Sequence, residues 1–254
     1  MIIAVTRQVS RSMYECELTH LVRTPIDFKL ARLQHQRYEE TLRDLGLDVI
    51  SLPEEPQLPD SVFVEDTAVV LDECAVITRP GAISRRSETE TVASTLLPYR
   101  ELRFILPPAT LDGGDVLCIG RQIFIGLTER TNISAVEQMR KLLAEYGYAV
   151  SGFQVSGCLH LKSAVTQVTG KTLLINPAWV EKGHFPGMNF LEIDPSEPYA
   201  ANALLIGDSV IYTAAFPMTC RHLKAAGIEP LLVDFSEFAK AEGAVTCCSL
   251  IFKV

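Results

Sequence analysis

Short apolar runs recur along this chain in pairs, each pair divided by two or three turn-forming residues. Ala68-Val69-Val70-Leu71 and Cys74-Ala75-Val76-Ile77 flank Asp72-Glu73. Runs of strand length around a charged pair predict a hairpin. A loop with Pro80 and Gly81 follows, then a helical stretch from about Ser87 to Leu97. The plan then repeats. Val116–Ile119 turns at Gly120-Arg121 and returns as Gln122–Gly126. A helix after it is predicted to carry Ile133, Val136, Met139, Leu142 and Leu143 on one face. A third pair, Ala164–Val168 and Thr172–Ile175, is joined by Thr169-Gly170-Lys171. A fourth, Ala203–Ile206 and Val210–Thr213, precedes a helix with His222, Leu223 and Ala226. A fifth begins at Cys247 and runs through Ser249–Phe252. Its missing return strand and helix are supplied by Ile2–Val5 and a helix from about Lys29 to Leu45.

The units start at Asp66, Asp112, His160, Asn202 and Cys247, separated by 46, 48, 42 and 45 residues. A ββα unit at such intervals predicts a closed, roughly five-fold α/β arrangement over residues 1–254 as a single domain. Closure has a physical motive, because radial repetition leaves only short, protected sheet edges. An ordinary α+β domain with coincident spacings is the alternative. In a ring, the five unit starts converge near the axis. They are two carboxylates, an imidazole, an amide and a thiol, a set that a purely structural repeat does not require.

Composition narrows the function. Hydrophobic residues are 48% and charged residues 21%, as in ordinary globular enzymes. No run of 18 apolar residues exists, so no membrane span is expected. No basic segment precedes the apolar Met1–Val5, so no secretory signal is expected. A net charge of −8 disfavours nucleic acid as a partner, because phosphate binding relies on Lys and Arg. Seven cysteines, odd in number and scattered, point to a reducing, cytoplasmic compartment rather than a disulfide framework. No C-x-x-C pair occurs, which disfavours structural zinc.

Cys247 and Cys248 are adjacent at the head of the last strand and are expected to face opposite sides of it. Cys247 shares the repeat phase with His160 and is the better nucleophile candidate, with Cys248 a buried packing partner. His160 could equally be a satisfied strand histidine, but its phase argues otherwise. Asp60, Glu65 and Asp66 flank the apolar Val62-Phe63-Val64, which should draw them inward. Buried carboxylates need partners, and a guanidinium ligand would serve. Asp112 precedes Gly113-Gly114, which either permit close backbone approach or form a simple turn. Arg85-Arg86 and Arg130 occupy equivalent loops of consecutive units, and one arginine from each could bind a substrate carboxylate.

Several segments together resemble one family. They are Leu58–Asp66, Ile77–Ala82, Ser84-Arg85-Arg86, Leu111–Asp115, Arg130-Thr131-Asn132, Leu159–Lys162 and Thr246–Ser249. In this order they resemble the dimethylarginine dimethylaminohydrolases. These belong to the guanidine-modifying superfamily with the pentein fold, a five-bladed α/β propeller. The resemblance covers nearly the whole chain. It implies Cys247 as nucleophile, His160 as general acid and base, and Asp112 as the carboxylate supporting His160. It implies Glu65 and Asp66 as guanidinium ligands, and Arg85 and Arg130 as α-carboxylate ligands. Leu18 (by its carbonyl), Asp60 and the backbone near Ala241 would receive the α-amino group. Glu242 stands where the family pattern has Asp.

The implied reaction is hydrolysis of N-ω-methylated arginine to citrulline and methylamine or dimethylamine. It runs through a covalent thiouronium and needs no metal or organic cofactor. The partner implied is a small guanidino amino acid, and the oligomeric state is left open. Deiminases of the superfamily carry His-x-Asp, whereas here the triplet is His160-Leu161-Lys162. Loss of that acid is expected to leave room for methyl groups. The alternatives are an arginine deiminase or other guanidino hydrolase, a non-catalytic binding module on the same fold, and a metal-binding protein using Cys247 and His160.

Overall fold

A computed structural model describes all residues, 1–254. It contains five three-stranded sheets. In the first, β1 (Ile2–Arg7) lies between the C-terminal strand β15 (Leu250–Lys253) and β2 (Asp48–Leu52). It pairs antiparallel with β15 and parallel with β2, and α1 (Phe28–Asp44) makes the crossover between β1 and β2. Asp27 caps α1, accepting hydrogen bonds from the amides of Lys29 and Leu30.

The other four sheets repeat this plan, with an antiparallel hairpin and then a parallel third strand. The second sheet is β3 (Ala68–Val70), β4 (Cys74–Ile77) and β5 (Glu101–Phe104), with α2 (Thr89–Leu96) as crossover. The third is β6 (Val116–Ile119), β7 (Gln122–Leu127) and β8 (Ala149–Gln154), with α3 (Ile133–Leu143). A one-turn helix α4 (Leu161–Ala164) leads into the fourth, β9 (Val165–Thr169), β10 (Thr172–Ile175) and β11 (Asn189–Glu192). Here the crossover holds only a 3-10 turn, Lys182–His184. The fifth is β12 (Leu204–Ile206), β13 (Ser209–Thr213) and β14 (Leu231–Val233), with α5 (Pro217–Ala225). The short α6 (Ser236–Ala239) follows. The third strand of each sheet completes a ββα(β) repeat, and these strands are short and mostly half-exposed.

The hydrophobic interior demonstrates the closure. It is divided into five clusters, and each joins one pair of neighbouring sheets. Ile3 and Val5 of β1 pack with Ala75 and Ile77 of β4, whereas Ala4 packs with Ile206 and Ile211 of the fifth sheet. Alternate residues of one strand therefore serve two interfaces, as the pleat dictates. The molecule is a five-bladed α/β propeller. No helix is long and apolar enough to cross a membrane.

Two local expectations change. Ile133 is 53% exposed, because Asn132 caps α3 and turns Ala135, Val136, Met139 and Leu143 inward instead. Cys247 and Cys248 lie in a tight turn before β15, not on an extended strand, with the Cys247 amide bonded to Ala244 O at 3.1 Å. Their unequal exposure arises from that turn: Cys248 is fully buried and Cys247 is half-buried.

Candidate active site

The segments leading into the blades are tight turns, and they carry the candidate residues inward. Val64–Thr67 and Gly113–Asp115 are 3-10 turns, His160 caps α4, and Thr246-Cys247 precedes β15. Gly113 and Gly114 permit close backbone approach. A Cβ at Gly113 would sit 1.9 Å from Glu65 O, and one at Gly114 would sit 2.6 Å from His160 Nδ1. The amide of Gly114 donates to Asp66 Oδ1 at 2.9 Å.

His160 is held between two acids. Nε2 lies 3.1 Å from Asp112 Oδ2, and Nδ1 lies 3.8 Å from Asp66 Oδ1. Asp112 is fixed in turn, because its Oδ1 accepts the Gly81 amide at 2.8 Å. Burial alone would lower the His160 pKa, but Asp66, Asp115 and Asp112 outweigh it and raise it to about 9. His160 is therefore an imidazolium at neutral pH. Burial likewise works to raise the pKa of Asp66, yet His160, Arg85 and the Gly114 amide bring it down to about 2. Ligand atoms of Asp66, Asp112 and His160 lie within 4.8 Å of one another, close enough for a metal set. With each ring nitrogen facing a carboxylate, His160 is also placed to hold and pass a proton.

A cavity of about 20 Å3 sits against this cluster. Asp60, Asp66, Arg85, Arg130, His160, Ala241 and Cys247 all line it. Cys247 Sγ accepts a hydrogen bond from the Ala244 amide at 3.4 Å. Burial pushes the Cys247 thiol well up, and the charges of Glu65 and Asp66 add to the effect. These effects favour the neutral thiol. Asp60 accepts the Glu17 amide at 3.0 Å, and burial raises its pKa. Arg130 is half-buried, with Nη2 on Thr19 Oγ1 at 3.0 Å.

Three predicted residues sit differently from expectation. Glu65 does not line this cavity. Its Oε1 accepts from Lys162 Nζ and its Oε2 from Thr246 Oγ1, both at 2.8 Å. It lines a second cavity, with Gly113, Lys162 and Thr246. Lys162 is thus an ion-pair partner of Glu65. Arg85 lines the cavity but is already committed to the protein. Nη1 donates to Asp66 at 2.6 Å, Nη2 to Glu88 at 2.9 Å and to the Phe63 carbonyl, and Nε also points at Glu88. A second Nη1 hydrogen remains for a ligand. Leu18 is half-buried against the core, outside the cavity lining.

Some partners were not foreseen. Asp115 accepts the Leu161 amide at 2.9 Å and the Thr128 hydroxyl at 2.7 Å, anchoring the turn that presents His160. Burial raises its pKa to about 6. Glu88 is buried beside Arg85, and burial raises it to about 7 against the pull of that arginine. Its spacing, three residues after Arg85 in a 3-10 turn, was the available signal. Asn202 pins Thr246 and the Lys162 carbonyl rather than facing the ligand cavity.

Comparison with known proteins agrees with this geometry. The family model described as "N,N dimethylarginine dimethylhydrolase, eukaryotic" matches residues 23–181. An N(G),N(G)-dimethylarginine dimethylaminohydrolase from Streptomyces coelicolor is 39% identical, over 97% of this chain and 95% of its own. The Pseudomonas aeruginosa enzyme of the same name is 36% identical, over 89% and 90%. The chain belongs to the dimethylarginine dimethylaminohydrolase family. A solved structure of the Pseudomonas enzyme, a cysteine-to-serine variant complexed with citrulline, superposes with a TM-score of 0.93 at 34% identity. It covers 98% of both chains. The N-terminal domain of ArgZ, a cyanobacterial arginine dihydrolase, has a TM-score of 0.82 at 17% identity and shares the fold. It covers 99% of this chain and 98% of its own.

Proposed function

We propose that residues 1–254 form one catalytic domain that hydrolyses N-ω-methylated arginine, asymmetric dimethylarginine above all, to citrulline and a methylamine. The observation that carries this reading is a half-buried cysteine facing an imidazolium wedged between two carboxylates, in a dimethylarginine dimethylaminohydrolase fold.

The substrate guanidinium sits beside Asp66, and its charge offsets the acids that keep the Cys247 thiol protonated. The thiol proton leaves to solvent. Thiolate Sγ attacks the central guanidine carbon, forming the C–S bond. His160, already charged and held through Nε2 by Asp112, gives its proton to the departing nitrogen as the C–N bond breaks. Without that proton the amine would leave as a strongly basic anion. Neutral His160 then takes a proton from water, hydroxide attacks the thiouronium carbon, and the C–S bond breaks to give citrulline. The Arg130 guanidinium and the remaining Arg85 N–H receive the α-carboxylate. Asp60, with the carbonyls of Leu18 and Ala241, receives the α-amino group.

Glu65 and Asp66 supply the negative charge for the guanidinium; each Glu65 oxygen accepts one protein hydrogen bond, from Lys162 or from Thr246, and keeps a further lone pair. The test is product analysis. Incubation with asymmetric dimethylarginine should release equal citrulline and dimethylamine, and Cys247→Ser should reduce turnover by at least about 10^3-fold. Ammonia from arginine as the faster reaction would replace this reading with a deiminase.

A further inference from the structure

Of the five unit starts that converge at the axis, Asn202 is the one to which the proposed reaction gives no part. Its side chain is nonetheless fully engaged. It is 5% exposed. Nδ2 donates to Thr246 Oγ1 and to the Lys162 carbonyl, both at 3.0 Å, and Oδ1 accepts the Thr246 amide at 3.2 Å. These partners settle which way the amide points. Turned over, it would set an oxygen against the Lys162 carbonyl and an NH2 against the Thr246 N–H.

That direction passes to the next residue. Thr246 Oγ1 receives the Asn202 N–H, so its single hydrogen is left for Glu65 Oε2 at 2.8 Å. The other Glu65 oxygen meets the Lys162 ammonium, which also only donates. Glu65 thus receives donors at both oxygens, and the lone pairs it keeps suit a guanidinium, a group made of donors alone. A Thr246 hydroxyl released from Asn202 could give its proton elsewhere, and Oε2 would lose its anchor. The same amide ties the turn of the nucleophile. Thr246 is held at both its amide and its hydroxyl, one residue before Cys247, and the Cys247 carbonyl accepts the Glu65 amide at 3.1 Å. Lys162, whose carbonyl Asn202 holds, lies two residues after His160.

We propose that Asn202 is a positioning residue for the guanidinium end of the substrate: acting through Thr246, it orients the Glu65 carboxylate and steadies the turn that carries Cys247. Because it takes Cys247 as the reacting group, this role rests on the function proposed above. A purely structural role for the same hydrogen bonds would disturb all ligands alike, so two ligands that differ only at the guanidine end separate the two.

The Cys247→Ser protein, which lacks the nucleophile, is the host for calorimetry with asymmetric dimethylarginine and with citrulline. Both carry the same α-amino and α-carboxylate groups, but only the first has a cationic side chain. Thr246→Val, similar in shape and without the hydroxyl, should raise the Kd of dimethylarginine by about fivefold or more, since a hydrogen bond to a charged group is lost, and leave that of citrulline within about twofold. Thr246→Ser, which restores the hydroxyl, should return both to the host values. Asn202→Ala should repeat the Thr246→Val pattern. The double variant should lose no more than the larger single change, because the two residues act in one chain. With Cys247 in place, kcat/KM for dimethylarginine should fall in Thr246→Val and recover in Thr246→Ser. Citrulline binding reports that each variant is folded, and the Thr246 pair decides even where Asn202→Ala does not fold. Equal weakening of both ligands in Thr246→Val, or no change in either, would overturn the inference. So would a folded Asn202→Ala that binds both ligands as the host does. Dimethylamine release by the parent protein tests the proposed function separately, so that reading can stand while this one falls.

Discussion

Asp66 and His160 are held by the propeller itself, whereas Leu18 and Thr19 are held by a strap laid over it. On the first side, blade-leading turns meet at the axis, and their backbone amides bond the acids directly: Gly114 to Asp66, Gly81 to Asp112 and Leu161 to Asp115. These contacts come with the closure of the ring and cannot be lost singly without disturbing it. On the second side, the strap (residues 17–21) is tied by side chains, those of Asp60, Ser84, Arg130 and Glu242. The reacting groups thus sit on turns tied by backbone amides, while the strap beside them is tied by side chains, a kind of contact found at the less stable end of a fold.

The sharpest way to break this comparison is Gly114→Ala. A Cβ there would stand 2.6 Å from His160 Nδ1 and 2.8 Å from Asp66 Oδ1, so one of them must shift. Displacing a proton donor by about 1 Å costs about 10^2-fold, and kcat should fall by that order while the strap's hydrogen exchange stays unchanged. Normal kcat would mean that the turn side is softer than its contacts suggest. A smaller effect is expected on the other side. Arg130→Ala removes one charged contact worth roughly 1.5–3 kcal/mol, so KM should rise by about tenfold or more with kcat little altered. A guanidine lacking the α-carboxylate, such as agmatine, should be insensitive to the change. Equal losses for both ligands would remove Arg130 from carboxylate recognition.

The smallest effect is on pH dependence. Because His160 must be protonated to release the amine and its pKa is raised to about 9, the histidine limb of kcat/KM should hold through neutrality and fall only near pH 9. The same shift is a stability statement. The folded pKa lies above the ordinary 6.5, so the contribution of His160 to stability is complete below that pH and is lost as pH rises through about 9. Asp66 has the opposite sign: its contribution is present above the ordinary 3.8 and disappears as pH falls through about 2. A kcat/KM that declines already near pH 6.5 would show an unsupported histidine and weaken the picture of a site held by backbone amides.

Much of this was legible in the chain. Hairpins spaced at near-equal intervals located Asp66, Asp112, His160 and Cys247 at equivalent turns, and three of these four line the cavity at the axis. The glycines after Asp112 could mean close approach or a simple turn, and the positions of Glu65 and His160 show close approach. The facing of Cys247 and Cys248 was anticipated correctly on a mistaken basis, since strand alternation does not apply inside a tight turn. Arg85 was assigned wholly to a ligand because Glu88, which takes three of its contacts, looks like an ordinary surface acid in a charged stretch.

The sequence by itself determined the repeat, the strand hairpins, the amphipathic helices and the residue types presented at the axis. Each of these is written in local periodicity, where neighbours two to four positions apart share a face or a turn. Only the tertiary structure decided which charges meet. Glu65 and Asp66 are consecutive, yet one turns to Lys162 and Thr246 and the other to Arg85 and His160. Glu242 finds its amides more than two hundred residues away, at Thr19–Leu21. Ion pairs and hydrogen bonds depend on distances of a few ångströms through space. No spacing along the chain encodes those distances until the fifth blade closes against the first.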